Sequence, residues 1–526
     1  MITLLTAFFI VGCNRRSRVG GRSTELTPAT DLGVTIGSLV DVSWPESVRL
    51  EGYGLVVGLR GTGSSECPPQ VRAYFSRHIP TLLPNRGMNV DKMINGSDTA
   101  VVSVEGLMPT IASMNQTFDV RVTALPGTQT TSLEGGYLLG TELKTAGTFG
   151  ITSRIVANAQ GAVFIDKLNT TLINRRTGYV LTGGKVLDEY KIVLMLHKPD
   201  FRVTNNIRNR LDELFGNGTA KVILPGRIEV KVPPKYRERK HRFVAIIKAT
   251  YLVHSNEMAA RRINAFANKL ATSQDGDESE IALEAIGNHS LSALNGLLNI
   301  SDEHRQLRVA RCMLNLGSDA GLTVLRRIAM NRSSLYRVEA LESITAGARR
   351  KDAILISQRL LRDGDFQIRL AAYEQLRKLD DIAVMQERVA DNFYLEQVAQ
   401  MKYKSIFVSR RGQPRIVLFG VPILCSESVF VRSADGNITI NAPADQEYVS
   451  IIRKHPERPE VVAQLRSSYK LDDIIKTLCG TPATSSGQER GGLGVSYADV
   501  ISLLKRMCDK GAVKAEFWAG PLPKIG

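Results

Sequence analysis

Histidine is scarce in this chain, at seven residues, and none of His78, His197, His241, His254, His289, His304 and His455 falls in an HExxH or other paired spacing. The six cysteines form no Cys-x-x-Cys, so a structural or catalytic zinc site is not expected. No Gly-x-Ser-x-Gly nucleophile turn occurs. The adjacent carboxylates Asp380-Asp381 and Asp472-Asp473 read as solvated faces or as charge at helix N-termini. Aromatic residues make up only 6% of the chain, and they do not interleave with the basic runs, so a base-stacking platform is missing. These gaps argue against catalysis, a metal, a cofactor, a small-molecule substrate and a nucleic-acid partner. The apolar run Met1 to Gly12 is about a dozen residues, too short to cross a bilayer as a helix.

What is present points to a multidomain globular protein. The chain has 526 residues, 43% hydrophobic and 23% charged, which suits two to four domains with several cores. The formal charge is +16, and such an excess favours anionic partners. It concentrates in Arg15, Arg16, Arg18 and Arg22, in the run Lys221 to Arg242, and in Lys402 to Arg415.

The opening apolar run has the length of a signal-peptide core. It ends Ile10-Val11-Gly12-Cys13, which resembles a bacterial lipobox, so Cys13 is a candidate lipidation site. No Lys or Arg precedes the run. An exported protein is free to oxidise cysteines, and Cys479 and Cys508, in one C-terminal segment, are the candidate disulfide.

From Val34 onward the pattern is β-rich. Leu55 to Leu59 reads as a buried strand inside Leu50-Glu51-Gly52-Tyr53-Gly54-Leu55-Val56-Val57-Gly58-Leu59-Arg60-Gly61-Thr62-Gly63. These glycines interrupt or flank a strand rather than join a strand to a helix, and no Gly-Lys-Ser/Thr follows, so they signal tight turns and close packing, not a phosphate cradle. Val71, Phe75, Ile79 and Leu82 share a helix face, with Pro80 expected to end or kink it. Strands are expected over Thr99–Val104, around Phe118, Val120 and Val122, over Ala162–Leu168, Lys191–Leu196 and Val244–Val253. Ile207, Leu211 and Leu214 define a helix with Thr204 as its expected N-cap and Gly216 at its C-terminus.

The ordered blocks EGYGLVVGLRGTG, NQTFDVRVTALPGTQTTSLEGGYLLGTELK, LHKPDFRVTNNIRNRLDELFG and LPGRIEVKVP resemble the bacterial flagellar P-ring family over roughly residues 34–233. The resemblance implies a structural, homo-oligomeric periplasmic ring around the flagellar rod, beside peptidoglycan and working with the outer-membrane L-ring protein.

Residues 256–403 depart from that family. Helices dominate, and EHRQLRVARCMLNLGSDA and DFQIRLAAYEQLRKLDD place an arginine and an alanine similarly between apolar positions. These units resemble HEAT-like repeats. The fold class expected is therefore α+β: a β-rich ring-forming domain (34–255) after a signal and basic linker (1–33), interrupted by an all-α HEAT-like insertion (256–403). A resumed β-region (404–442) and a C-terminal helical segment (443–526) follow.

Thirteen basic residues are candidates to face the rod or the anionic cell wall: Lys221, Arg227, Lys231, Lys235, Arg237, Arg239, Lys240, Arg242, Lys402, Lys404, Arg410, Arg411 and Arg415. A lipid on Cys13 would add an outer-membrane anchor. The alternative function is an envelope lipoprotein scaffold that uses the ring-like domain and the helices for protein binding.

Overall fold

A computed structural model describes residues 32–43, 47–82, 90–147, 154–168, 173–188, 191–253, 255–273, 275–399, 401–444, 446–454, 462–480 and 491–525. Cys13 and the N-terminal arginines lie outside them.

Strand β1 (Val40–Ser43) leads into a barrel. The barrel strands are β2 (Val48–Val57), β3 (Thr99–Met108), β4 (Thr117–Ala124), β5 (Tyr137–Thr145), β6 (Ile155–Ala162) and β7 (Thr177–Val186). They close in the order β2-β3-β4-β7-β6-β5, every neighbouring pair antiparallel. Alternate residues such as Val102, Val104, Val120, Val122, Leu138 and Leu143 fill its interior. Helices α1 (Pro69–Leu82) and α2 (Val90–Ile94) cover one outer face, with Val71, Phe75 and Ile79 buried against Leu55 and Val101. Pro80 lies within α1, which continues to Leu82.

The glycines of β2 mark where the barrel closes. A Cβ on Gly52 would overlap the carbonyl oxygen of Glu142 on β5, and one on Gly54 would lie 2.6 Å from Thr141 Oγ1. The β2–β5 register shifts between Glu51 and Val56. Gly58 and Gly61, at φ of 80° and 82°, make the turn that leaves the strand. These residues therefore serve packing and turns, as their pattern implied.

A second layer follows: β8 (Ile192–Leu196), α3 (Phe201–Phe215), β9 (Ala220–Leu224), β10 (Arg227–Val230) and α4 (Lys240–Ala249). Its sheet order is β1-β8-β10-β9. The α3 cap is Asp200, whose carboxylate accepts from the backbone N–H groups of Arg202 and Val203. Thr204 instead is buried and donates its hydroxyl to Asp200 O. Gly216 ends the helix as expected. The expected strand over Val244–Val253 is corrected to helix α4. Its β-branched run favours a strand locally, but Phe243, Val244, Ile246 and Ile247 form one buried helical face on this layer, and burial outweighs propensity. The strand expected over Ala162–Leu168 lies earlier, as β6.

The helical array runs α5 (Asn256–Thr272), α6 (Asp277–Ile286), α7 (Leu291–Leu297), α8 (Glu303–Asn315), α9 (Asp319–Met330), α10 (Arg337–Gly347), α11 (Arg350–Leu360) and α12 (Phe366–Lys378). It ends earlier than the sequence suggested, since β11 (Met385–Val389) and β12 (Phe393–Ala399) follow at once. Strands β13 (Ser405–Val408), β14 (Arg415–Val421), β15 (Val429–Arg432), β16 (Ile438–Ala442), β17 (Val449–Lys454) and β18 (Val462–Ser467) come next, then α13 (Leu471–Cys479), α14 (Tyr497–Asp509) and β19 (Glu516–Ala519). Strand structure thus extends on both sides of residues 404–442. The sheets are β11-β12-β14-β13-β19 and β15-β16-β17-β18. Their core takes in Phe164 and Leu181 of the barrel region, while Phe407, Val417 and Phe419 join the core of the helical array.

Gly52→Ala should destabilise the protein by about 1–3 kcal/mol, because the methyl has nowhere to go. Gly96→Ala, whose nearest neighbour would be 3.6 Å away, should change little. Urea denaturation of both variants checks this; equal losses would contradict the packing assigned to Gly52.

Candidate functional site

The basic run Lys221 to Arg242 splits in two. Its C-terminal part forms a charged joint between α4 and the helical array. Arg242 donates to Glu280 at 2.6 Å and to Glu284 at 2.9 Å on α6. Arg311 on α8 donates to both oxygens of Glu280, at 2.8 and 2.6 Å, and to Glu339 on α10 at 2.6 Å. Arg239 donates to Asn315 Oδ1 and Ala346 O, and Lys235 donates to Asn315 O at 2.9 Å. Apolar packing continues the joint, because Ala285 of α6 belongs to the core of the sheet layer. Arg239 and Arg242 therefore point into this joint, against their expected outward orientation, while Lys235 reaches it from an exposed position.

Burial alone would push the Glu280 carboxyl pKa up. Hydrogen bonds and charge from Arg311 and Arg242 outweigh it and hold the group below its ordinary 4.5. Desolvation pulls Arg242 down, but Glu280 and Glu284 more than reverse it. Lys235 is pushed below its ordinary value by burial. The acidic half of this joint was not foreseen. A usable signal exists: Glu280 and Glu284 stand one helical turn apart within Ile281, Ala282, Leu283, Ala285 and Ile286, so both carboxylates fall on buried surface.

The second basic run is divided as well. Arg410 pairs with Asp166 at 2.9 Å and donates to Gly520 O. Arg415 pairs with Glu374 on α12. Lys404 donates to Pro422 O at 2.9 Å. Arg410 and Arg415 are thus also interior, against expectation, while Lys402 and Arg411 are exposed. Two further contacts seat the C-terminal part on the barrel. Asp119 accepts from Thr182 N–H at 2.7 Å and Gly412 N–H at 2.8 Å, and Lys167 joins Glu134 to Asp499.

The remaining cations of the first run gather at a cleft of about 1060 Å³ between the barrel loop 109–116, the ends of β8, β9 and β10, and the start of α4. Lys221, Lys231, Arg237 and Lys240 line it. Arg227 lies nearby, 3.5 Å from Glu229. Lys240 anchors the loop through Ile111 O.

Cys479 and Cys508 are separate free thiols here, on α13 and α14, so the expected pair is not joined. Burial pushes Cys508 up to about 11. Among the described residues, no group of three or more His, Cys, Asp or Glu could hold a metal ion, and no helix is long and apolar enough to cross a membrane.

Residues 35–265 match the family model described as the flagellar P-ring protein. The chain is 30% identical to flagellar P-ring protein 1 of Photobacterium profundum over 226 residues, covering 40% of this chain and 58% of that protein. It is 31% identical to flagellar P-ring protein 1 of Vibrio parahaemolyticus over 231 residues, covering 40% and 59%. Identity to the flagellar P-ring protein of Geobacter metallireducens is 28% over 281 residues, covering 50% and 73%. The chain spans less than two thirds of the length of the first two relatives.

Arg242→Ala should destabilise the protein by about 3–5 kcal/mol, since it strips a partner from buried carboxylates. Arg237→Ala, an exposed neighbour, should stay within about 0.5 kcal/mol of the parent. The Glu280 pKa is lower folded than unfolded, so its stabilisation is present above the ordinary 4.5 and is lost as pH falls through the folded value. Stability measured from pH 6 to about 3 should therefore fall more steeply in the parent than in Glu280→Gln.

Proposed function

We propose that this chain, whose residues 35–265 match the flagellar P-ring family model, is a structural subunit of the flagellar basal-body P-ring. In this reading it forms a periplasmic bushing around the rod, needed for flagellar assembly and motility, and does no catalysis. The observation that carries the reading is the extent of the match: it runs unbroken from β1 through the barrel and the sheet layer into α5. Neighbouring subunits would meet through heterologous contacts that close into a ring.

The helical array is a HEAT-like docking surface in the same reading. Support comes from α8, α10 and α12, alternate helices that each carry a buried arginine, Arg308, Arg337 and Arg369, about thirty residues apart. The rod, the L-ring protein and peptidoglycan are the proposed partners. A lipid on Cys13 would tether the subunit to the outer membrane. The exposed cations Lys221, Lys231, Arg237, Lys402 and Arg411 remain the candidates to face rod or wall, because diffuse attraction does not lock one rotational state.

An in-frame deletion in the source strain, complemented by the full chain, tests this. Electron microscopy of isolated basal bodies should show the periplasmic ring lost in the deletion strain and restored on complementation, with swimming following it. Complete rings and normal swimming in the deletion strain would contradict the reading and favour the scaffold alternative.

A further inference from the structure

We infer that the cleft beside loop 109–116 is a docking site for an acidic peptide segment that also carries aliphatic side chains. The charge comes first. Five cations, Lys191, Lys221, Lys231, Arg237 and Lys240, line the cleft against two carboxylates, Glu229 and Glu238. Lys191 is engaged by Glu229 at 2.9 Å, and Lys240 holds the loop. The side chains of Lys221, Lys231 and Arg237 are exposed and make no ion pair with a described residue. A ligand therefore meets at least three available cations, which selects for negative charge.

The walls decide what kind of anion fits. They include Ile111, Ala112, Met114, Ile192, Val230 and Val232, and no Phe, Tyr or Trp. A nucleic acid would find only the His241 imidazole, and no run of rings on which successive bases could stack. Aliphatic walls with a 62% exposed methionine at the rim suit hydrophobic peptide side chains, which a flexible thioether accommodates. The volume of about 1060 Å³ exceeds the usual small-molecule range of about 300–1,000 Å³ and suits a length of extended chain.

The loop is also held in an unusual shape. Ile111 has a φ of 51° and Asn115 a φ of 64°. A β-branched residue rarely adopts that region, so tertiary contacts, Lys240 among them, impose the loop's form. Backbone held this way concentrates at binding sites. The assignment does not depend on the ring reading, because it rests on the cleft alone.

Fluorescence anisotropy with a labelled short peptide of alternating glutamate and leucine tests it on the full chain. Saturable binding is expected, weakening as salt is raised. The exposed triple variant Lys221→Glu, Lys231→Glu and Arg237→Glu should retain the parent's thermal melt and bind at least about tenfold more weakly. Met114→Asp should weaken binding several-fold without touching the cations. Unchanged binding in the triple variant overturns the assignment. So does competition by polyphosphate or polygalacturonate as strong as that by unlabelled peptide, which would mark an unselective anion patch.

Discussion

A carboxylate with almost no solvent exposure stays ionised only if cations surround it, and the side chain of Glu280 is 1% exposed. Arg242 reaches it from α4 and Arg311 from α8. Arg311 lies within the array and Arg242 within the sheet layer, so the compensation is complete only when the two are docked together. This constraint makes the array a fixed part of the fold and not a tethered appendage. It also explains why the densest basic run does not translate into an equally basic surface.

The same logic recurs at the far end of the chain. The array passes its core to the second β-region through Phe407, Val417 and Phe419. That region then returns to the barrel through Asp119, Asp166 and Lys167. The barrel and the sheet layer are therefore linked twice, directly by chain connections and indirectly through the array. A chain built this way can carry load across its width without relying on one hinge, which would suit the proposed ring.

Much of this was legible in residue patterns. The alternation at Phe118, Val120 and Val122 gave a barrel strand, and the glycines at 52 and 54 marked close backbone approach. The 3.6-residue pattern gave α1, with Val71, Phe75 and Ile79 all buried. What failed did so for physical reasons. The run Val244–Val253 has strand-like composition, and only its fit against the sheet layer makes it helical. Thr204 has the right chemistry for a cap but lies inside the first turn, where Asp200 already holds the free N–H groups. A basic run says nothing about which cations will meet carboxylates far along the chain, so Arg242 and Arg410 could not be told from Lys221 and Arg237. Tertiary placement made that division, and with it the cleft.

Hydrogen–deuterium exchange tests the central claim, that the charged joint makes sheet layer and array one cooperative body. In the intact chain, buried amides of α4 around Phe243–Ile247 and of α6 around Leu283–Ile286 should open with the same free energy, and Arg242→Ala should lower protection in both together. Full protection retained in α4 while α6 alone loosens would show that the sheet layer holds without the array and that the two are not one cooperative body.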